Sequence, residues 1–212
     1  MRRLSSLAEI EQLYAERGGL TYGEGVSQVE HAVQCAAWAE AEGAAPSLVV
    51  AALLHDIGHL FFDEDAADQG VDDRHEIVGA QALKDLFDEV VRAPIALHVM
   101  AKRYLCFAEP GYFEALSPAS RATLVLQGGP FDEDAATNFT HLPYWREAVA
   151  LRRLDEAGKD ETAATRAFAD FVPVMRATVI ARLDRATQAT AEAGAPGPTF
   201  TLRLGSPGEA GR

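Results

Sequence analysis

Side chains of the types that bind transition metals are spread along the chain in the order His31, His55, Asp56, His75, His98 and Asp155. Neutral imidazoles with a few carboxylates suit iron or manganese better than calcium or magnesium. These six ligands are too many for a single ion that must also bind a substrate. Two ions that share one carboxylate would each keep an open position, so the ligand set predicts a binuclear metalloenzyme.

Ligands so far apart in the sequence can meet only if several helices bring them into one cavity. The segment SLVVAALLHDIGH, residues 47–59, carries His55 and Asp56 and is apolar nearly all round, which predicts a buried central helix. An unpaired carboxylate there would be very costly, whereas a bound metal offsets its desolvation. The placement of Asp56 therefore favours a metal ligand.

Apolar residues recur at helical spacing along most of the chain, without a strand pattern of useful length or an internal repeat. The fold class is therefore predicted to be all-α. We place Pro46 and Pro94 at helix starts and Pro173 at a kink in the last helix. The predicted helices span residues 7–17, 29–43, 47–59, 75–87, 95–107, 118–127, 144–159 and 165–189.

The chain of 212 residues, 48% of them apolar, is long enough for one domain with a sizeable core. We assign this domain to residues 1–191 and interpret the Gly/Pro-rich residues 192–212 as a flexible tail. The two cysteines, Cys35 and Cys106, are too few for a disulfide framework and indicate a reducing, cytoplasmic compartment.

Two further properties bear on partners. The N-terminal MRRLSSLAEIEQLY lacks the apolar stretch of a secretory signal, and no uncharged apolar run approaches the ~20 residues of a membrane span. The net charge of −13 argues against nucleic acid, because a phosphate backbone would be repelled. A small anionic substrate would need local cations, meaning the metals and a placed lysine or arginine. The oligomeric state stays open.

The His-Asp doublet in ALLHDIGHL, with His31 upstream and Asp155 downstream, resembles the HD-domain superfamily over roughly residues 14–184. The two additional histidines, His75 and His98, match the subgroup that binds two metals. The resemblance implies an HD-type helical bundle with a buried binuclear centre. Asp56 would bridge the two ions, with His31, His55 and Asp155 on one ion and His75 and His98 on the other.

The segment YGEGVSQVEH, residues 22–31, resembles the approach to the site in HD-domain diiron oxygenases that cleave carbon–phosphorus bonds. The resemblance implies two irons in a mixed Fe(II)/Fe(III) state and O2 as cosubstrate. Tyr22 and Glu24 would form a mobile lid, and Glu24 would recognise a substrate ammonium group. Gln28, in the same segment, is assigned to substrate binding.

Other polar residues extend the predicted pocket. His59 lies four residues after His55, and Lys102 four after His98, so on continuing helices both would face the ligands. We assign His59 a catalytic role in proton movement or substrate orientation. Lys102 would bind an anionic group. The polar stripe of the helix at 118–127 would suit phosphonate oxygens and consists of Ser120, Thr123 and Gln127.

The function that the resemblance implies is oxidative carbon–phosphorus cleavage of a small 1-hydroxyphosphonate. 2-Amino-1-hydroxyethylphosphonate would give glycine and phosphate, and its trimethylammonium analogue would give glycine betaine and phosphate. A quaternary ammonium favours aromatic faces, whereas a primary one needs hydrogen-bond acceptors. The candidates for an aromatic wall are Tyr22, Tyr104, Phe107 and Trp145.

Three alternatives remain at this stage. The first is a metal-dependent HD phosphohydrolase acting on a nucleotide or small phosphate ester, in which the two metals activate water. It leaves the YGEGVSQ segment and Lys102 without a role. The second is an inert HD module, which would not need a full set of ligands. The third is an oxygenase of cyclic polyols, which has no use for a phosphonate-binding stripe.

Overall fold

Helices account for the regular secondary structure of this computed structural model, which describes residues 3–21, 24–62 and 72–194, with side chains up to 188. No strand occurs within those ranges, so the predicted all-α class is confirmed. The α-helices, in chain order, are α1 Leu7–Arg17, α2 Gln28–Ala41, α3 Pro46–Leu54, α4 His75–Ala82, α5 Glu89–Ala108, α6 Tyr112–Ala115, α7 Pro118–Leu126, α8 Glu133–Thr140, α9 Trp145–Ala157 and α10 Val172–Gly194.

Helix α3 lies at the centre of the bundle, packed against α2, α5, α9 and α10. The side chains from Val50 to Leu54 are completely buried, as the apolar composition of this segment predicts. No helix in the described part of the chain is both long and apolar enough to cross a membrane.

Local sequence signals set the starts of the helices that carry the site. At the start of α2, the Ser27 side chain accepts a hydrogen bond from the Glu30 amide, and the Glu30 carboxylate accepts one from the Ser27 amide at 2.9 Å. This reciprocal capping box satisfies two amides that helix geometry leaves unpaired. It thereby fixes the first turn of α2, in which His31 lies.

The prolines behave differently from the prediction at two positions. Pro94 was predicted to begin a helix, but α5 begins at Glu89 and Pro94 lies inside it. Pro173 was predicted to kink the last helix, but it lies in the first turn of α10, where a missing amide hydrogen costs nothing. A short 3-10 turn, Phe168–Phe171, precedes α10 in place of the predicted helical residues.

The predicted helix 47–59 ends earlier than expected. Helix α3 stops at Leu54, a turn covers residues 55–58, and a 3-10 turn follows at His59–Phe61. Two short helices, α6 and α8, were not predicted. Helix α10 extends to Gly194, three residues into the segment assigned as a tail, and residues 195–212 lie outside the described residues.

Candidate active site

Five structural elements bring the six predicted metal ligands to one place. His31 lies on α2, His98 on α5 and Asp155 on α9, while His75 begins α4. His55 and Asp56 come directly after α3, at the turn that ends the central helix. The histidines and Asp155 are at least 94% buried. The packing of the bundle thus brings together side chains that are far apart in the sequence.

One group of ligands surrounds the Oδ2 atom of Asp56. This oxygen lies 3.6 Å from Nε2 of His31 and 3.5 Å from Nε2 of His55. The two Nε2 atoms are 3.2 Å apart, and Oδ1 of Asp155 lies 3.4 Å from Nε2 of His31. Four donor atoms therefore converge on one point.

The second group surrounds the other oxygen of Asp56. Its Oδ1 atom lies 3.5 Å from Nε2 of His75 and 3.6 Å from Nε2 of His98. The two Nε2 atoms are 3.2 Å apart. The two carboxylate oxygens of Asp56 thus face two separate groups, which is the division that the sequence predicts for a bridging ligand.

The hydrogen bonds of the histidines leave Nε2 as the candidate ligand atom. Nδ1 of His31, His55 and His98 lies 2.8–2.9 Å from a main-chain carbonyl oxygen, of Gly158, Ala52 and Ile95 respectively. A carbonyl oxygen only accepts, so each Nδ1 carries a hydrogen, and in the neutral imidazole Nε2 keeps the lone pair. An outer acceptor that fixes the imidazole in this way is the usual support of a metal-bound histidine.

The arrangement fits two transition-metal ions. Pairs of Nε2 lone pairs only 3.2 Å apart repel each other unless a cation lies between them. Donor atoms about 2.0–2.1 Å from one ion stand about 2.8–3.4 Å apart in octahedral or tetrahedral geometry. The two Nε2–Nε2 distances of 3.2 Å fall within that range. The distances from Nε2 to the oxygens of Asp56 are slightly longer, at 3.5–3.6 Å.

Electrostatics keep the two predicted carboxylate ligands in their metal-binding form. Burial raises the pKa of Asp56, but His55 and His59 outweigh burial and hold this pKa well below its usual range. For Asp155, burial is likewise outweighed by Arg152 and Lys159, and the pKa is again well below the usual range. Both carboxylates are therefore ionised.

His75 differs from the other ligands in its outer partner. Its Nδ1 lies 2.9 Å from Oδ1 of Asp73, and the same oxygen accepts from the His75 amide at 3.1 Å. Burial lowers the pKa of His75, but the hydrogen bond to Asp73 and the charge of Asp56 outweigh it and raise this pKa to about 9. A metal must therefore compete with a proton at this ligand.

Two glycines that the sequence reasoning passed over allow the ligands to approach. A Cβ at Gly58 would lie 2.0 Å from the carbonyl oxygen of His75, so only glycine lets the turn after α3 pack against the start of α4. A Cβ at Gly158 would lie 2.3 Å from Sγ of Cys35, beside the histidine that Gly158 supports. Gly58 is the glycine of the HDIG sequence at residues 55–58, so the motif itself contained this residue.

A partly enclosed cavity opens over the second group of ligands. The described residues that line it include six of the side chains predicted to contact the substrate or to act in catalysis, namely Glu24, Gln28, His59, Lys102, Ser120 and Thr123. Tyr22, the predicted lid residue, lies outside the described residues. Gln127 does not contribute to the lining, since it caps the end of α7.

His59 lines the cavity as predicted, but it does not lie on a helix that continues from His55. It lies on the 3-10 turn after α3, and its ring stacks on His75 with ring centroids 3.8 Å apart. Its Nδ1 lies 2.8 Å from Oδ2 of Asp73. Asp73 therefore supports both histidines, one through each carboxylate oxygen, and the sequence reasoning missed it.

Three cationic side chains, Lys102, Arg152 and Lys159, form a wall of the cavity beside the predicted metal ligands. Nζ of Lys102 donates to Oγ1 of Thr123 at 3.1 Å, and Lys102 is 3% exposed. Burial, and secondarily the charge of Arg152, lower the pKa of Lys102 to about 7. Nη2 of Arg152 lies 3.3 Å from Oγ of Ser120, and Nζ of Lys159 lies 3.0 Å from the same oxygen.

The sequence reasoning also missed Arg152 and Lys159. Arg152 pairs with Asp155 and Glu156 on α9, and its Nε donates to Oη of Tyr112 at 3.1 Å. The available signal was spacing, because Arg152 lies three residues before Asp155 and Lys159 four residues after it.

The aromatic candidates lie elsewhere. Tyr104 and Trp145 pack around Phe139, with ring centroids 5.2 and 6.2 Å from it, in an apolar cluster between α5, α8 and α9. Phe107 is 46% exposed. None of these three side chains is part of the cavity lining in the described residues.

Comparison with known proteins identifies the family. Residues 29–105 match the HD domain. The chain is 40% identical over 170 residues to [1-hydroxy-2-(trimethylamino)ethyl]phosphonate dioxygenase (glycine-betaine-forming) of Leisingera caerulea, covering 79% of this chain and 87% of that protein. The chain therefore belongs to the HD-domain family, as the motif predicts.

Two further relatives place it within the family. The chain is 42% identical over 160 residues to hydroxymethylphosphonate dioxygenase of Gimesia maris, covering 74% of this chain and 78% of that protein. It is also 35% identical over 161 residues to the uncharacterized protein L432 of Acanthamoeba polyphaga mimivirus, covering 74% of each. The two relatives with named activities are dioxygenases of hydroxyphosphonates.

Proposed function

We propose that this protein is an O2-dependent diiron dioxygenase that cleaves the carbon–phosphorus bond of a small 1-hydroxyphosphonate. One observation carries the proposal: two groups of ligand atoms share Asp56 directly beside a wall of buried cations. Such a site suits an anion that must reach a binuclear centre in a protein of net charge −13. The names of the two dioxygenase relatives support the same reaction class.

The proposed reaction balances without a further reductant. One hydroxyphosphonate dianion and one dioxygen give a carboxylate, hydrogen phosphate and one proton. The electron pairs of the C1–H and C1–P bonds reduce dioxygen by four electrons in total. Both oxygen atoms end in the products, one on carbon and one on phosphorus, so a dioxygenase is the appropriate class.

The wall residues would hold the substrate. Lys102 would neutralise the phosphonate charge, and the hydroxyls of Ser120 and Thr123 would donate to its oxygens. These groups already lie together, since Lys102 contacts Thr123 at 3.1 Å. Holding the phosphonate at this wall fixes C1 beside the ligand groups, which lowers the entropic part of the barrier.

His59 would position and accept the proton of the substrate hydroxyl. With Nδ1 hydrogen-bonded to Asp73, Nε2 is the nitrogen that can accept a hydrogen bond in the cavity. The stack on His75 fixes the plane of its ring. Asp73 is thus a positioning residue for His59 as well as for His75.

The ligand residues fit two irons in the mixed Fe(II)/Fe(III) state of the subgroup that the sequence resembles. His31, His55 and Asp155 would hold one ion and His75 and His98 the other, with Asp56 between them. When bound, the irons would supply Lewis acidity and the redox capacity for dioxygen reduction. Imidazole and carboxylate ligands are also accepted by manganese, so metal identity belongs in the test.

The test follows phosphate release from hydroxyphosphonates by protein reconstituted with iron or with manganese, in the presence and absence of dioxygen. We expect release only with iron and dioxygen, with one dioxygen consumed per phosphate. The Asp56→Asn variant, treated identically, is the control for adventitious metal chemistry. Release of phosphate from nucleotides or phosphate esters without dioxygen would instead establish the hydrolase alternative.

A further inference from the structure

The carboxylate of Glu24 already has a cationic partner within the chain. Nζ of Lys159 lies 2.8 Å from Oε1 of Glu24, and Oγ of Ser117 donates to the same oxygen at 2.9 Å. The side chains of Glu24 and Lys159 are 20% and 15% exposed, so the pair is largely desolvated. The position at which the resemblance places a substrate ammonium is therefore occupied by a lysine.

Lys159 is firmly anchored at this position. Its Nζ also donates to Oγ of Ser120 at 3.0 Å and lies 3.7 Å from Oδ1 of Asp155. Its main chain follows Gly158, whose carbonyl oxygen accepts from Nδ1 of His31. The ammonium of Lys159 is thus held in place by its contacts with Glu24, Ser120 and Asp155.

We propose that Lys159 takes the place of a substrate ammonium at Glu24, so that the enzyme selects 1-hydroxyphosphonates whose C1 substituent carries no positive charge. Hydroxymethylphosphonate is the smallest member of this class. The inference rests on the proposed function and narrows its substrate class.

The charge balance of the wall supports this selection. An ammonium-bearing substrate would have to displace Nζ of Lys159 from Glu24. Its phosphonate would be held by Lys102, so the displaced Lys159 would keep Asp155, 3.7 Å away, as its nearest carboxylate. Arg152, which is 3% exposed, adds a second cation beside it. Binding of an ammonium group therefore costs the desolvated contact of Lys159 with Glu24, which an uncharged C1 substituent leaves intact.

The aromatic side chains argue in the same direction for a quaternary ammonium. Recognition of such a group uses aromatic faces within about 6 Å of the cation. Tyr104 and Trp145, two of the four sequence candidates for this role, are packed against Phe139 in an apolar cluster. The wall that the described residues present is instead made of hydroxyls, lysines and an arginine.

The test compares hydroxymethylphosphonate, 2-amino-1-hydroxyethylphosphonate and its trimethylammonium analogue in two assays. The first is kcat/KM for phosphate release by the iron-loaded protein under air. The second is anaerobic calorimetric titration of the metal-loaded protein, which measures affinity without turnover. In both assays we expect the wild-type protein to favour hydroxymethylphosphonate by at least about tenfold, which corresponds to about 1.4 kcal/mol.

Substitution of Lys159 provides the discriminating result. In Lys159→Met, Glu24 loses its internal cation, and the preference should shift toward the ammonium-bearing substrates by about tenfold or more. Lys159→Arg keeps the pair and should keep the wild-type preference. Lys84→Met removes an exposed lysine with the same change of charge and should leave the preference unaltered.

Two results would overturn the inference: tighter wild-type binding of either ammonium substrate, or an unchanged preference in Lys159→Met. Failure of the proposed function looks different. In that case the titration would show the expected binding preference, but no hydroxyphosphonate would release phosphate in a dioxygen-dependent reaction. The titration alone would then support the role of Lys159.

Discussion

The floor and the wall of the cavity are built in different ways. We use floor for the six predicted metal-ligand residues and wall for six further side chains that line the cavity, Glu24, Lys102, Ser120, Thr123, Arg152 and Lys159. In the floor, three of the four imidazoles are held by main-chain carbonyls. In the wall, side chains are held mainly by other side chains, such as Lys159 by Glu24 and Ser120.

This difference separates chemistry from specificity. Main-chain carbonyls do not change when a side chain is substituted, so the floor keeps its geometry as long as the helices pack as they do. A contact between two side chains is lost or re-formed by a single substitution. A substitution in the wall can therefore change substrate selection while the floor keeps its geometry, and one lysine can decide which substituent on C1 is accepted.

The largest expected effect comes from the residue that both groups of the floor share. Asp56→Ala removes the carboxylate that faces Nε2 of all four histidines, so both metals should be lost or weakly held. We expect activity to fall by at least about 10³-fold, because the metal centre carries the chemistry. Metal analysis after desalting, beside a turnover assay, measures both effects. Asp85→Ala, at an exposed ion pair with Arg3, should retain both metals.

A second large effect is expected at Gly58, where the turn after α3 packs closely against the main chain of His75. Gly58→Ala places a methyl group 2.0 Å from a main-chain oxygen that cannot move without displacing α4. We expect a loss of about 2–4 kcal/mol of stability, together with weaker metal binding. Chemical denaturation of the metal-free protein measures the first. Gly19→Ala, with no atom within 4 Å of the new Cβ, is the control and should be nearly neutral.

The difference between the floor and the wall also explains how much of the candidate site could be predicted from the sequence. The floor was predictable because histidines and aspartates in a fixed order are rare, and the same order defines a known superfamily. Lys102 was predictable from its spacing to His98. By contrast, the pairing of Glu24 with Lys159 joins residues 135 positions apart. No local pattern encodes such a contact, because it depends on how the end of α9 meets the loop before α2.

The helix boundaries show the same limit. Pro94 carries a strong local signal for a helix start, yet the packing of α5 against α3, α4 and α9 continues the helix through it. His59 was placed in the cavity by assuming a continuous helix from His55. It reaches the cavity after that helix has ended, because the turn at Gly58 packs on His75. Tertiary contacts outweighed local propensity at both positions.

A smaller effect should come from Asp73, which supports the floor from outside. Asp73→Asn keeps the shape but removes the negative charge that His75 and His59 share. We expect the affinity of the metal position at His75 and His98 to fall about 10–100-fold, the range typical for outer partners of metal-bound histidines. The other position should be unaffected, so a metal titration should resolve two affinities. Asp72→Asn, one residue away and exposed, is the matched control.

The smallest effect is expected in the wall and appears as a pH dependence. Burial lowers the pKa of Lys102 to about 7, so the free enzyme carries the charged lysine below that pH and loses it above. Because the phosphonate binds to the charged form, KM should rise with pH above about 7, by up to about tenfold per pH unit.

In Lys102→Arg, where the side chain stays charged, KM should be nearly constant up to pH 9. Lys102→Met should show a raised KM at every pH. A wild-type rise that persists unchanged in the arginine variant would assign the titration to the substrate or the metal centre and remove Lys102 from the phosphonate site.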